Sequence, residues 1–203
     1  LILAGLCACS GPLAAAESIG TIVITATGTA TAVDRIPASV SVIEPHQIAQ
    51  QQVNDVGELL RGTPGLDLGR NGGPGQQTSV FLRGTESDHT LIMIDGIPIN
   101  PGTLGNAAIQ NINPRLLDRV EVVRGPLSSL YGSAALGGVV NLITATDKQA
   151  GTRSFFEVQG GNYNTVGLDA GVSHAEGAFD INLNLSHQSS DGYQARTIDN
   201  FDS

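Results

Sequence analysis

Two hydrophobic rhythms divide this chain. Up to about residue 144, short apolar runs are broken by glycine and proline. Beyond Gly151, apolar and polar residues alternate over longer stretches. In the first part, Ser39-Val-Ser-Val-Ile43 alternates as a half-buried strand does. Glu44-Pro45-His46 then opens a helix, with Pro45 suited to a first turn. Val53, Val56, Leu59 and Leu60 recur at helical spacing and form one apolar face. Gly62-Thr-Pro64-Gly65 stops that helix.

Leu66-Asp-Leu68 reads as a short strand, followed by a glycine-rich loop at 69–76 and a strand over Ser79–Arg83. Leu91-Ile-Met-Ile94 is apolar on both faces, which predicts a central, covered strand. Asp95-Gly96 is a hairpin signal, and Ile97-Pro-Ile99 returns as an edge where proline is tolerated. A second glycine-rich loop spans 101–106, and Asn113-Pro114 starts a short helix through Leu117. From Val120 to Thr144 a buried strand meets an Arg-Gly-Pro break, a helix-like turn, the pair Gly137-Gly138 and a second apolar strand. Residues 39–146 thus predict a compact α+β domain with a small mixed sheet and short helices.

In the second part, Val166, Leu168, Ala170 and Val172 alternate with polar or small residues, as do Phe179, Ile181, Leu183 and Leu185. Glu176-Gly177-Ala178 supplies the turn between them. One-sided strands of about ten residues suit a transmembrane barrel, although a soluble sandwich gives the same alternation. Residues 151–203 therefore read as the first strands of a barrel, cut short.

The N-terminal region differs from both. Residues 1–16 carry no charge and end in Ala14-Ala15-Ala16. They read as the apolar region and cleavage site of a secretory signal whose basic start is missing. The rival reading is a lipoprotein signal ending at Cys9. Both cysteines, Cys7 and Cys9, lie in this segment, so the mature chain is expected to lack disulfides and thiol chemistry. Residues 17–38 read as a linker with one strand-forming island at Ile22-Val-Ile24, for which an ordinary edge strand is the plainer reading.

Composition narrows the function. Twenty-six glycines among 203 residues and the absence of tryptophan favour short strands and tight turns over a helical bundle. A net charge of −9 with Lys148 as the single lysine argues against nucleic acid. The four histidines are scattered without metal-ligand spacing, and no nucleophile elbow or phosphate loop occurs. The expectation is therefore a protein that is not an enzyme and has no cofactor.

Several motifs together resemble the TonB-dependent receptors of the Gram-negative outer membrane. They are Pro64-Gly65-Leu66, Phe81-Leu-Arg-Gly84, Leu91-Ile-Met-Ile-Asp-Gly96, Val120-Glu-Val-Val-Arg-Gly-Pro126, Tyr131-Gly132 and Gly137-Gly-Val-Val-Asn-Leu-Ile-Thr144. Within the family the likeness is closest to its cobalamin-importing members, through Val53–Val56, Asn71-Gly-Gly73, Phe81–Thr85, His89 and Asn100. The resemblance implies a plug domain followed by a 22-stranded barrel with a plugged lumen. Closing such a barrel takes on the order of 200 strand residues, so this chain holds only the first strands.

The same resemblance implies site residues. Thr21, Ile22, Val23, Ile24, Thr25 and Ala26 are similar to the TonB box, the segment that TonB and its inner-membrane energising complex engage. A β-branched, uncharged island on a tether is chemically suited to adding as a strand to a partner's sheet edge. Arg83 and Arg124 match arginines that hold plug to barrel wall; a pairing inside the plug with Glu121 or Asp95 is the alternative. By position, ligand contacts fall at Asn71, Gln77, Ser79, Glu86, Leu104 and Gly105. Asp191, Asp199 and Asp202 are candidates for a structural calcium in barrel loops, against a plainer reading as exposed loop acids. The implied partners are TonB, outer-membrane lipid, and cobalamin or another metal chelate, with a ferric siderophore as the runner-up. A secreted structural or adhesive β-protein is the alternative of a different class.

Overall fold

The computed structural model describes residues 38–145 and 151–192 apart from 74, 104 and 178, together with 22, 23, 25, 29, 31 and 32. The expected signal at 1–16, Thr21, Ile24, Ala26, Leu104, Asp199 and Asp202 lie outside the described residues. No described helix is long and apolar enough to cross a membrane, which says nothing of strands.

The first domain is built on a five-stranded sheet. Its strands are β3 (Ser39–Ile43), β8 (Leu117–Arg124), β9 (Gly138–Thr144), β6 (Thr90–Ile94) and β7 (Ile97–Pro98), in that spatial order. Only the β6–β9 pair is parallel, so the sheet is mixed. Strand β6 lies inside the sheet, between β9 and the edge strand β7, and is covered on both faces, with Leu91, Ile92 and Met93 all buried. Its hairpin to β7 turns through Asp95 at φ 48° and Gly96 at φ 83°. Two consecutive positive φ values are what an Asp-Gly hairpin turn supplies.

Alternation along the strands gives the sheet two apolar faces. Val120, Val122, Val140, Leu142, Ile92 and Ile43 point to one side. There they pack against α1 (Pro45–Gln51), α2 (Val56–Leu60) and the hairpin of β4 (Leu66–Arg70) and β5 (Thr78–Leu82). Val123, Val139, Leu91 and Met93 serve the other side, under the Leu127–Ala135 segment that contains α3 (Ser128–Tyr131). Val23 also belongs to this second face, buried against Val123. It lies in β1 (Ile22–Val23), which pairs with β2 (Thr31–Ala32).

The double glycine closes this layer. A Cβ on Gly138 would collide with the carbonyl oxygen of Val123, and one on Gly137 with the Thr85 hydroxyl. Only glycine lets β9 enter the sheet this close to β8 and to the loop after β5.

One element departs from expectation. The single helix read from Pro45 to Leu60 is two helices. The chain breaks at Gln52, which takes a left-handed conformation at φ 49°. A new helix is then capped by the Asp55 carboxylate, which accepts from Glu58 N at 2.9 Å. The apolar face is continuous across the break because Val53 still packs on the core with Val56 and Leu60.

After residue 150 comes an antiparallel meander of β10 (Gly151–Gly161), β11 (Thr165–Glu176) and β12 (Phe179–Ser189). Glu157, Asp169 and Ser186 stand side by side in register and face the first domain. The opposite face carries Phe156, Val158, Val166, Val172, Phe179, Ile181, Leu183 and Leu185, all exposed. An apolar outer face on strands of 11 and 12 residues matches the lipid-facing band of a barrel wall.

Candidate functional site: the plug loops and the N-terminal segment

Three groups of predicted residues can be placed. The first is the apical loops. Asn71 and Gln77 are exposed at the tip of the β4–β5 hairpin, joined by the Asn71 N–H donating to the Gln77 carbonyl at 3.2 Å. Ser79, further down β5, accepts from Asn106 Nδ2 at 2.7 Å. That bond ties the hairpin to the 101–106 loop. Gly105 sits in that loop at φ 66°, and a Cβ there would lie 2.6 Å from Asp88 Cβ. Glu86 is exposed and precedes the 3-10 turn Ser87–His89. The structure therefore brings the 101–106 loop against both the hairpin and the 86–89 turn.

Asn100 holds this arrangement, a role not assigned to it from the sequence. Its Nδ2 donates to the carbonyls of Gly105 at 2.6 Å and Thr90 at 3.1 Å, while its Oδ1 accepts from Ile92 N at 2.7 Å. An amide is suited to this, since it both donates and accepts from one rigid plane.

Arg70, the one cation in the sequence of the 69–76 and 101–106 loops, is committed elsewhere. Its guanidinium donates twice to the Asp55 carboxylate at 2.7 Å, and it also reaches Glu58 and Thr78. The Arg70 side chain is 14% exposed and that of Asp55 is 5% exposed. This is a largely buried ion pair, with Nη2 held between both carboxylate oxygens, that fixes the start of α2 to the hairpin. What the loops present to a ligand is amide, hydroxyl, carboxylate and glycine backbone.

The second group is the two arginines, Arg83 and Arg124, expected to hold plug to wall. The Arg124 Nε donates to Ser39 Oγ at 3.1 Å, Nη2 to Ser41 Oγ at 2.8 Å and Nη1 to the Pro64 carbonyl at 2.8 Å. A pairing of Arg124 with Glu121 or Asp95 is not what the fold makes. Glu121 is taken by Arg119 at 3.0 Å, and Asp95 accepts from Thr144. Arg83, at φ 53°, is exposed beside Arg124 and lines with it a recess of about 300 Å³. Burial, and then the neighbouring Arg83 charge, lower the Arg124 pKa from its ordinary value.

The described wall strands touch the plug elsewhere. Asn113 Nδ2 donates to Asp169 Oδ1 at 2.7 Å and to Ser186 Oγ at 3.0 Å, and Arg115 pairs with Glu157. Asp169 is 1% exposed, a carboxylate kept in place by amides from Asn113 and Gln159. These contacts escape sequence reading because Asn113 looks only like the cap of the following turn, which it also is. Asp191 is tied to the β10–β11 turn through Asn164 Nδ2 at 2.6 Å. Among the described residues no three His, Cys, Asp or Glu side chains gather as a metal site.

The third group is the N-terminal segment. Ile22 and Val23 form a strand, and Thr25 is buried on the second face of the sheet. Its N–H and hydroxyl both donate to Glu121 Oε2, at 3.0 and 2.6 Å. Val23 and Thr25 are thus docked on the plug sheet.

Comparison with known proteins gives one answer. Residues 32–139 match the TonB-dependent Receptor Plug Domain family. Among curated proteins, the vitamin B12 transporter BtuB of Vibrio cholerae serotype O1 is 36% identical over 179 residues, covering 88% of this chain. The chain spans only 29% of that relative's length. Among solved structures, the alcaligin outer membrane receptor FauA of Bordetella pertussis aligns with TM-score 0.70 and 25% identity. That alignment covers 84% of this chain and 29% of FauA. The siderophore receptor PirA of Pseudomonas aeruginosa aligns with TM-score 0.54 and 29% identity, covering 76% of this chain and 29% of that one. By its motifs, its mixed-sheet plug and the antiparallel wall strands that follow, the chain belongs to the TonB-dependent receptor plug family.

Proposed function

We propose that the full-length protein is an outer-membrane importer that binds a bulky, weakly charged metal chelate, a corrinoid first among them, and admits it when TonB pulls the plug. The observation that carries the choice of ligand is the committed Arg70. The apical loops keep their exposed amides and hydroxyls but present no cation of their own among the described residues, because Asp55 occupies the guanidinium. An anionic chelate gains little from such a surface, whereas a large neutral one can be held by amides and shape. The likeness to BtuB supports the same reading. Asn71, Gln77, Ser79, Glu86, Leu104 and Gly105 are the proposed contacts. A ferric siderophore is the second reading, favoured by the likeness to the siderophore receptor PirA.

TonB coupling is proposed for residues 21–26. Ile22–Val23 is already an extended strand paired with Thr31–Ala32, so a partner's edge can substitute for β2 without reshaping β1. Arg83 and Arg124, two adjacent cations, are proposed to meet carboxylates on wall strands beyond the three described. The asparagine-held Asp169 and the Arg115–Glu157 pair hold the other flank. Calcium at Asp191, Asp199 and Asp202 is a further proposal, tested by metal titration of the full-length receptor. The ligand is tested by titrating cyanocobalamin and ferric siderophores separately against that receptor. Saturable binding of cyanocobalamin alone is expected; binding of a ferric siderophore alone overturns the corrinoid reading.

A further inference from the structure

On the flank where the plug meets β12 lies a crevice of about 580 Å³. On the plug side it is lined by Asn54, by Gly75 of the loop between β4 and β5, and by Gln110 and Asn111 of the short turn Ile109–Asn111. On the wall side it is lined by Ser186 and Gln188 of β12. Asn113 bridges the two sides at its margin, through its bonds to Asp169 and Ser186. A recess of this size is in the range that holds small molecules.

The crevice is polar but almost without charge. Among the described residues no lysine, arginine or histidine lines it. Its carboxylate, Asp55, is already taken by the Arg70 guanidinium and the Glu58 N–H. What remains is carboxamide and hydroxyl, groups that both donate and accept. Asn54, Asn111 and Gln188 are exposed and can turn to whatever enters. Gln110 is different: its Oε1 is buried and accepts from no partner. A shielded acceptor without a donor is an unfavourable state. The turn beneath it is pinned, because Ile109 is fully buried in the core. Relief therefore comes from the side chain, by rotation of the carboxamide toward a donor in the crevice.

We propose that this crevice is a further subsite for the imported ligand and takes a neutral arm that ends in an amide. Gln110 Oε1 accepts from the amide N–H on the plug side, and Gln188 meets the same arm from the wall. The inference rests on the reading of the ligand as a large, weakly charged chelate, and it names the part of that ligand the plug–wall seam recognises. Gly75 lies in the same loop as Asn71 and Gln77, so a ligand seated on the apical loops reaches the crevice without leaving them. An arm ending in a carboxylate finds no cation among the described lining residues and is disfavoured.

The test uses the full-length receptor in outer-membrane vesicles. The probes are cyanocobalamin, whose corrin rim carries amide arms, and the set of its monocarboxylic derivatives, each with one rim amide hydrolysed. Gln110→Leu and Gln188→Leu are each expected to weaken cyanocobalamin binding about fivefold, as loss of one uncharged hydrogen bond implies. Both are also expected to erase the parent's preference for cyanocobalamin over one of the derivatives, which a merely structural change would leave in place. Parent affinity and parent preference in both variants overturn the subsite and mean that Gln110 turns only to water. If Gln110→Leu is cleaved by protease faster than the parent, Gln188→Leu, an exposed position, decides alone. Gln188→Cys in a Cys7→Ser, Cys9→Ser background gives a second reading through maleimide labelling. Saturating cyanocobalamin is expected to slow that labelling several-fold; labelling at the unliganded rate overturns the subsite. A parent receptor that binds no cyanocobalamin overturns the corrinoid reading and the amide-arm assignment with it, whereas a parent that binds it with an affinity neither variant changes overturns the crevice alone.

Discussion

Arg70 and Asp55 stand 15 residues apart in the chain and form the shortest ion pair among the described residues of the plug. Removing one member of such a pair strands the other inside the protein, at a cost of about 3–5 kcal/mol. Arg70→Ala is therefore expected to loosen α2 and the β4–β5 hairpin, seen as faster proteolysis of the plug, with ligand affinity falling only as far as the hairpin loosens. Arg70→Ala with Asp55→Asn should recover most of the loss. A fall in affinity with unaltered proteolysis would instead place Arg70 in the ligand site. At this scale the sequence shows local chemistry well. Asp95-Gly96 announces its own turn, because two positive φ values demand those residues. It hides partners that only the fold brings together, such as Asp55 with Arg70, Asn113 with Asp169 or Thr25 with Glu121.

Elements are legible where one period holds and obscure where two overlap. Strands β11 and β12 alternate cleanly and were expected; β10 was not marked as a strand of its own. Its centre reads Phe155-Phe156, which sets one aromatic on each face and breaks the alternation. Phe155 points inward over Gly171, where a Cβ would collide with its ring, and Phe156 points outward. The Pro45–Leu60 helix was overextended for a related reason: the apolar face runs on through Val53 even though Gln52 breaks the backbone. The two faces of the wall make a clear prediction. Leu183→Arg, at the middle of β12 on the outer face, is expected to cost about 2–4 kcal/mol of folded barrel in lipid. Asn182→Arg, one residue away and inward, should cost far less. Heat-modifiable migration after refolding into liposomes reads both. Equal tolerance of the two would contradict a lipid-facing Leu183 and favour a wall in water.

On the scale of the whole molecule, the wall contacts of the plug and its N-terminal segment lie at different places. Asn113 and Arg115 fasten the segment before β8 to the wall, while the N-terminal segment lies on the opposite sheet face with Thr25 against Glu121. Under the coupling proposed above, a pull passing through Val23 and Thr25 would reach the second face of the sheet first and the wall contacts last. The change from a mixed α+β domain to one-sided strands near residue 150 was readable from the change of rhythm, and the resemblance of the motifs made those strands a barrel wall. The burial of Val23 and Thr25 on the second sheet face was not readable, because nothing in the sequence around Thr25 betrays which face would bury it. The most direct measurement is uptake of labelled cyanocobalamin by cells carrying the full-length receptor, wild type against Ile22→Pro, with surface binding measured alongside. Equal binding with uptake abolished in Ile22→Pro is the predicted result; uptake by Ile22→Pro at the wild-type rate would contradict a plug drawn by its N-terminal strand.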